Sequence, residues 1–403
     1  MSWGTVQIGT VCEIVSGATP RTSKPEYWNG EVKWVTPKDL SNLREKHISD
    51  TPRKITRQGL NSCAAKMLPP QSVLLSCRAP IGLVAINTEP VCTNQGFKSL
   101  VPKANQVDPN YLYWWLLTNR EYLDGLGRGA TFKEISKSII QEIDIPLPHR
   151  NGKPDLNVQK RIAAILDKAD AIRRKLQQSL RLSDDFLRSV FLDMFGDPEG
   201  NGWEIKTIED VLAPRKGAIR TGPFGSNLLH SEFVDEGIAV LGIDNAVQNK
   251  FAPGKPRFIT EEKYQSLKHY TVYPGDVLIT IMGTCGRCAI VPEDIPTAIN
   301  TKHLCCISLD RKKCLPEFLH SYFLLHPMAK SYLGQTAKGA IMDGLSGGVI
   351  KRMPIPEVPM SLQKQYAKLV KNRTALVDRL TNQLAESEDL FSSLQQRAFR
   401  GEL

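Results

Sequence analysis

The chain has 403 residues, a formal net charge of +10, and hydrophobic residues at 41% of its positions. This length predicts two or three domains with their own cores, and the basic balance favours a polyanionic partner such as nucleic acid. No stretch of 18 apolar residues and no run typical of a signal peptide occurs, so the sequence predicts a soluble, cytoplasmic protein. Nine Cys residues without a disulfide-scaffold spacing predict reduced thiols.

The chain divides into four predicted segments of two alternating kinds. Short β-branched runs separated by Pro, Gly and Asn indicate mixed α/β domains, whereas long amphipathic stretches indicate helices. The segments, in chain order, are a first globular domain at 1–148, a linker with a first long helix at 149–198, a second globular domain at 199–356, and a second long helix at 357–403.

Each long helix carries a narrow apolar stripe with the heptad spacing of a coiled coil, which we call its seam. About 40 residues at ~1.5 Å each predict a rod on the order of 60 Å, too long to be stable alone in water. An antiparallel pair that buries both seams is favoured over the alternative, in which each helix lies on its own globular domain. Predicted seam positions are Ile162, Ile165, Ala169, Ile172, Leu176, Ser179, Ser183, Phe186 and Val190, then Tyr366, Leu369, Arg373, Leu376, Leu380, Gln383, Leu390 and Leu394.

The ends of both helices have recognisable signals. Asp155 or Asn157 is expected to cap the first helix, which runs from about Asn157 to Met194 and is ended by Gly196. Ser361 is the expected cap of the second helix, which runs from about 362 to 399.

The helices repeat at a constant offset of 204 residues. Gln159-Lys160 matches Gln363-Lys364, and Phe195 matches Phe399. The globular segments repeat more weakly, in landmarks such as Gly129-Ala130 and Gly339-Ala340. Two copies of one scaffold with different surfaces predict a protein that reads two different targets.

Catalytic motifs are missing from the sequence. It contains no phosphate-binding G-x-x-x-x-G-K-[ST] loop, no G-x-G-x-x-G after a strand, no H-E-x-x-H and no G-x-S-x-G. Cys and His residues of the second half could form one metal site, a tetrahedral zinc site. The alternative, buried or incidental thiols, is favoured because the first half has no matching Cys pair. The candidate zinc ligands are Cys285, Cys288, His303, Cys305 and Cys306.

Two glycine-rich loops with cations, 16–24 and 219–228, are the best candidates for DNA contact. Glycine and small hydroxyl groups let backbone amides approach phosphate, while Arg and Asn suit base edges and Phe suits a thymine methyl. The predicted contacts in the first half are Thr19, Arg21, Thr22, Lys24, Lys38, Arg78, Lys98, Arg128 and Lys133. Those in the second half are Arg220, Thr221, Phe224, Ser226, Asn227, Lys255, Arg257, Arg287, Lys302 and Lys338.

In combination these landmarks resemble the specificity subunits of type I restriction–modification systems, over nearly the whole chain. The resemblance is carried by Ser-Gly-Ala-Thr-Pro at 16–20, Tyr27-Trp28-Asn29-Gly30, the 219–228 loop, Pro274-Gly275-Asp276-Val277-Leu278-Ile279, Phe195-Gly196-Asp197-Pro198, and the Gln-Lys helix starts at 159 and 363.

The resemblance implies an α+β chain in which two target-recognition domains are separated by two long antiparallel helices. Each domain would read one half of a bipartite site in double-stranded DNA, and the helices would bind two methyltransferase subunits. S-adenosylmethionine, ATP and Mg²⁺ would belong to the methyltransferase and restriction subunits, leaving this chain without catalysis or cofactor.

Two alternatives come from other functional classes. The chain could instead be a protein–protein scaffold whose basic halves bind DNA without sequence preference. It could also be a nuclease or methyltransferase with an unrecognised site, in which case the purified chain alone would act on DNA.

Overall fold

The computed structural model describes residues 2–128, 133–339 and 345–403, without the side chains of 336–339. The chain forms two compact units. Unit 1 comprises Met1–Gln177 and Asn382–Leu403, and unit 2 comprises Gln178–Thr381. Each unit therefore holds one globular segment and a part of both long helices. The predicted domain boundaries, drawn where the composition changes, remain a prediction.

Unit 1 contains three sheets and the start of the first long helix. Its strands, β1 to β11 in chain order, are Ser2–Gln7, Cys12–Ser16, Trp28–Val35, His47–Ile48, Lys54–Ile55, Val73–Leu75, Val84–Asn87, Cys92–Thr93, Lys98–Pro102, Asp144–Arg150 and Lys153–Pro154. Its helices, α1 to α7, are Ile8–Val11, Pro37–Asn42, Arg57–Asn61, Pro109–Thr118, Arg120–Leu126, Lys137–Glu142 and the long Leu156–Phe195, which continues into unit 2.

Unit 2 contains the remaining elements. Its strands, β12 to β21, are Ile205–Thr207, Ile219–Thr221, Ile238–Leu241, Phe258–Ile259, Thr271–Val272, Val277–Thr280, Cys288–Ile290, Ala298–Asn300, Leu304–Ile307 and Pro354–Pro356. The helices that follow, α8 to α12, are Glu261–Leu267, Pro316–Leu325, Pro327–Gly339, Gly347–Lys351 and the long Met360–Ala398, which ends in unit 1.

The two units repeat one topology, which confirms the predicted duplication. Strand order β2-β9-β6-β7 in unit 1 corresponds to β13-β20-β17-β18 in unit 2, and β5-β3-β8 corresponds to β15-β14-β19. In the second pair of sheets, β3 runs parallel to β8 and β14 runs parallel to β19. The strands β1 and β10, like β12 and β21, pair antiparallel.

The strands β6 and β17 are apolar except for Thr280, because both of their faces are covered. In β6, Val73 and Leu75 enter the large core of unit 1, while Leu74 enters a second cluster on the other face. In β17, Val277 and Leu278 divide in the same way between two clusters of unit 2. Period-two alternation thus supplies two hydrophobic layers from one strand.

Both long helices contribute to both large cores. In unit 1, Ile162 and Leu166 of α7 share a core with Phe391 of α12. In unit 2, Phe191 and Phe195 of α7 lie 5.4 Å from the ring of Tyr366 of α12. The alternative in which each helix lies on its own domain is therefore not supported.

Within each unit the two helix segments run antiparallel, as predicted. In unit 1, Arg173 lies over the ring of Phe391, and Gln177, one turn later in α7, contacts Glu388, which lies earlier in α12. In unit 2, Arg373 contacts Ser183 and forms an ion pair with Asp184.

The predicted seam is wrong at seven positions, which include the exposed polar residues Ser179 and Gln383. The other five retain an exposed apolar side chain, because a pair of helices covers only one side of an apolar stripe. These residues and their exposed fractions are Ile172 (57%), Phe186 (58%), Leu369 (37%), Leu376 (46%) and Leu390 (58%).

The predicted cap is confirmed at the start of α7 and is wrong at the start of α12. Asp155 caps α7, since its carboxylate accepts hydrogen bonds from the amides of Asn157 and Val158. Gly196 follows the end of α7 and donates its amide to Leu192. The prediction for Ser361 is wrong, because α12 begins at Met360 and Ser361 lies inside its first turn.

Candidate DNA interface

In unit 1 the first glycine-rich loop rests on the turn that follows β8. The amide of Gly17 donates to Phe97 O at 3.2 Å, and that of Ala18 donates to Thr93 O at 2.9 Å. A Cβ atom on Gly17 would lie only 1.9 Å from Asn94 O, so this approach requires glycine. The hydroxyl of Thr19 then donates to the amide oxygen of Gln95.

A second strip of chain, residues 76–78, contacts the same turn, and predicted cations lie on this strip and beside it. Cys77 donates its amide to Gly96 O at 2.7 Å, which places the exposed Arg78 beside the turn. The backbones of Arg128 and Glu134 form a bridge, and Arg78 forms another with Glu134. The structure therefore gathers Thr19, Arg78 and Arg128 around one turn.

Glu134 neutralises part of this positive surface. Its carboxylate accepts from Arg78 Nε at 2.8 Å and from Lys98 Nζ at 3.2 Å. Burial alone would raise the pKa of Glu134, but these two hydrogen bonds outweigh it and hold the pKa below its ordinary value. Glu134 thus remains ionised and fixes the Arg78 side chain.

The other predicted contacts of unit 1 are exposed, on loops or, for Lys38, on the short helix α2. Arg21, Thr22, Lys38 and Lys133 are exposed, and Pro37, next to Lys38, faces Gly96. Lys24 is also exposed, and its Nζ lies 3.6 Å from the carboxylate of Glu26. These residues stay predictions as DNA contacts, and their exposure is consistent with that role.

Unit 2 builds the corresponding loop with different side chains. A Cβ atom on Gly222 would lie 2.0 Å from Asn300 O, so this glycine also permits a close approach to the turn after a parallel strand. Thr221 is half-buried, while the following segment turns outward. Phe224, Ser226 and Asn227 are exposed, and Phe224 exposes 47% of its surface.

The basic residues around this loop lie together with an acidic residue, Asp244. Arg257 makes an ion pair with Asp244, whose carboxylate also accepts from the amide of Lys255. Burial would raise the pKa of Asp244, but its hydrogen bonds with Arg257 and Lys255 hold the pKa below its ordinary value. Lys302 and Arg287 are exposed.

The structure contradicts the prediction that Arg220 reads a base edge. Its side chain is buried, and its guanidinium donates to Asp276 at 2.7 Å and to Ser308 at 3.1 Å. Lys98 is also largely buried and donates inward to Glu134, so it is a poor candidate for DNA contact. Lys338 lies outside the side chains that the structure describes.

The zinc alternative has little support in the surroundings of its Cys residues. Cys288 and Cys305 belong to the large core of unit 2, and burial raises the pKa of the Cys305 thiol to about 12. Zinc requires thiolates, which this apolar core disfavours. Among the residues that the structure describes, no group of three or more metal-ligating side chains comes together.

Sequence reasoning missed two residues of this surface. Gln95 stands at the tip of the turn on which the first loop rests. Arg53 stacks its guanidinium on Trp28 and Trp34, at 4.5 and 4.8 Å from the ring centroids. Neither has a sequence signal, because each owes its position to residues far away in the chain.

These features define a duplicated α+β chain with a loop-rich, partly basic surface on each unit. The sequence model described as type I restriction modification DNA specificity domain matches residues 1–182 and 201–387. The chain belongs to this family and carries two copies of its domain.

Curated relatives carry consistent names. The chain is 33% identical over 235 residues to the type I restriction enzyme MjaIX specificity subunit of Methanocaldococcus jannaschii, a match that covers 54% of this chain and 53% of that protein. It is 23% identical over 349 residues to the EcoBI specificity subunit of Escherichia coli, covering 78% and 70%. The chain thus spans about half the length of the first of these relatives.

Solved structures show the same fold. The S subunit of a type I restriction–modification system from M. genitalium matches with a TM-score of 0.60 at 15% identity, covering 99% of this chain and 96% of that one. A chain from a study of complex assembly in the type I system matches with a TM-score of 0.57 at 17% identity, covering 100% and 98%. In the described part of this chain, no helix combines the length and apolar character needed to cross a membrane.

Proposed function

We propose that this chain is the non-catalytic specificity subunit of a type I restriction–modification complex. Each unit reads one half of a bipartite site in double-stranded DNA. The observation that carries this proposal is that one loop geometry is built twice with different exposed side chains. A glycine backbone packs on a turn in both units, at Gly17 and at Gly222, while the surrounding side chains differ.

The chemistry of these surfaces suits the two tasks of DNA reading. Exposed cations such as Lys38, Lys133 and Arg287 bind phosphates and set the position of each unit. Exposed amide and aromatic side chains such as Asn227 and Phe224 suit base edges and thymine methyl groups. The phosphate contacts give affinity, and the base contacts give specificity.

Two equivalent patches on the long helices support docking of two identical methyltransferase subunits. Exposed apolar residues occur in pairs at the offset of 204 residues, Ile172 with Leu376 and Phe186 with Leu390. Unit 1 carries Ile172 and Leu390, and unit 2 carries Leu376 and Phe186. Paired apolar patches on a duplicated frame suit two copies of one partner.

The patch of unit 1 is a groove between the two helices. Its volume is about 560 Å³, and its walls include Ala169, Ile172, Leu176, Leu390 and Leu394. We assign S-adenosylmethionine to the methyltransferase subunits, and ATP and Mg²⁺ to restriction subunits where the system also cleaves DNA. This chain supplies recognition and assembly.

A selection experiment tests the proposal. The full chain, bound to its methyltransferase, is incubated with a fully randomised pool of duplexes at moderate salt, and bound DNA is sequenced. The proposal predicts a motif with two separated halves. Enrichment without any motif would favour the scaffold alternative, and DNA cleavage or methylation by the chain alone would favour an enzyme.

A further inference from the structure

The turn after β8 in unit 1 is held by three backbone hydrogen bonds. Asn94 donates to Val35 O at 3.0 Å, and Phe97 donates to Asn94 O at 3.2 Å. Cys77 donates to Gly96 O at 2.7 Å. These bonds fix the turn between the parallel strand pair and the strip that carries Arg78.

The turn after β19 in unit 2 is held by the same three bonds. Thr301 donates to Leu241 O at 2.9 Å, and Leu304 donates to Thr301 O at 3.0 Å. Ile281 donates to His303 O at 2.9 Å. The two turns are therefore equivalent residue by residue.

This equivalence places Gln95 and Lys302 at one structural position. Both follow the first residue of their turn, and both are exposed. Each lies between the glycine-rich loop of its unit and the residue whose amide donates to the turn, Cys77 or Ile281. A duplicated scaffold that holds an amide in one copy and an ammonium in the other presents two different reading groups.

The amide of Gln95 has a fixed partner. The hydroxyl of Thr19 donates to its oxygen, which orients the amide plane while the oxygen keeps a second lone pair. An oriented amide matches adenine, because it can donate to N7 and accept from N6 in the major groove.

Lys302 lies in a different electrostatic setting. Burial lowers the pKa of His303, and the neighbouring charges of Lys302 and of Arg257, which is ion-paired with Asp244, lower it further. Guanine presents two acceptors, O6 and N7, and is the base that a lysine recognises best.

We propose that Gln95 and Lys302 are specificity-determining residues, with Gln95 selecting adenine in one half-site and Lys302 selecting guanine in the other. This inference rests on the proposed function. It adds to that function the position and the chemistry of one base contact in each unit.

The test exchanges the two residues. The variants Q95K and K302Q, each in the full complex, are compared with the unchanged chain by selection from the randomised duplex pool. Q95K is expected to replace adenine by guanine at one position of one half-site. K302Q is expected to do the converse in the other half-site. Each preference should shift by about 10-fold or more, the discrimination that a good paired contact provides.

Matched controls separate charge from position. Q7K adds the same ammonium at an exposed residue of β1, and K312Q removes one from an exposed turn of unit 2. Both should keep the original motif. If Q95K and K302Q enrich the original motif, or lose a base preference without gaining the new one, the inference is overturned while the proposed function stands. If the unchanged chain enriches no motif, the proposed function fails, and the inference fails with it.

Discussion

Gln159 and Gln363, both buried, make the same hydrogen bond in the two halves of the chain. The side-chain oxygen of Gln159 accepts from the amide of Asp108 at 2.8 Å, and that of Gln363 accepts from the amide of Leu315 at 2.8 Å. Each bond ties the start of a long helix to the residue that precedes a helix of the globular segment. The two matched glutamines thus fasten both helices to their units in one way.

Replacing either glutamine should loosen its own unit. In Q159L and Q363L a buried backbone amide loses its acceptor, which should cost about 1–3 kcal/mol. Hydrogen exchange, followed peptide by peptide, should speed up in unit 1 for Q159L and in unit 2 for Q363L. The exposed Gln365 supplies the control Q365L. Exchange in Q159L and Q363L no faster than in the control would contradict the fastening role.

The buried pair of Arg220 and Asp276 should make unit 2 sensitive to the loss of either partner. Asp276 also accepts from Ser308 at 2.6 Å and from the amide of Tyr273 at 2.9 Å. Removing one partner leaves a buried charge uncompensated, so R220M and D276N should each cost about 3–5 kcal/mol. Urea unfolding of both single variants and the double variant measures the coupling. The double variant should lose less than the sum of the two, and strict additivity would argue against the pair.

The two helix patches should each bind one methyltransferase. A glutamate at an exposed apolar position has little effect on folding but opposes an apolar contact. I172E and L376E should each reduce the complex from two methyltransferase copies to one, and the double variant should bind none. Native mass spectrometry of the assembled complex counts the copies. T374E, at an exposed polar position of α12, is the control. Two copies retained by the double variant would remove these patches from the interface.

Acid should destabilise unit 2 through His326. Its Nε2 lies 3.0 Å from Phe195 O, while Nδ1 accepts from the amide of Met328, so the ring is neutral in the fold. Burial lowers its pKa below the ordinary value of 6.5, and the bond to Phe195 only partly offsets this. The unfolded chain then binds more protons as pH falls through 6.5, and the free energy of unfolding decreases.

Urea unfolding at a series of pH values tests this linkage. H326F should be less stable than the unchanged chain near pH 8, because two backbone partners lose their hydrogen bonds, but its stability should depend less on pH. H269F, at an exposed histidine, should keep the original dependence. Parallel pH profiles for the unchanged chain and H326F would contradict the role of His326.

The repeat was predictable from sequence because the parts that fasten the helices need the same residues in both copies. Gln159 and Gln363 have one task and one geometry, and Asp155 caps a helix through contacts only two and three residues away. The exposed seam positions were not predictable, because periodicity identifies an apolar stripe but does not show which of its residues the partner helix covers.

The candidate site was predictable only in part. Its glycine-rich loops have a local signal, but the fate of each cation depends on remote residues. Arg220 is held in the interior by a hydrogen bond to Asp276, 56 residues away. Lys98 is held in the same way by Glu134, 36 residues away. Gln95 gains its place from bonds to strands distant in the chain, which no local pattern reveals.

Domain replacement measures the central claim most directly, that each unit reads its own half of a divided DNA site. Residues 1–148 are replaced by the corresponding domain of another specificity subunit, and methylated sites are mapped in cells that carry the complex. We predict that one half of the methylated motif changes while the other half stays as it was. A change in both halves, or in neither, would contradict the account.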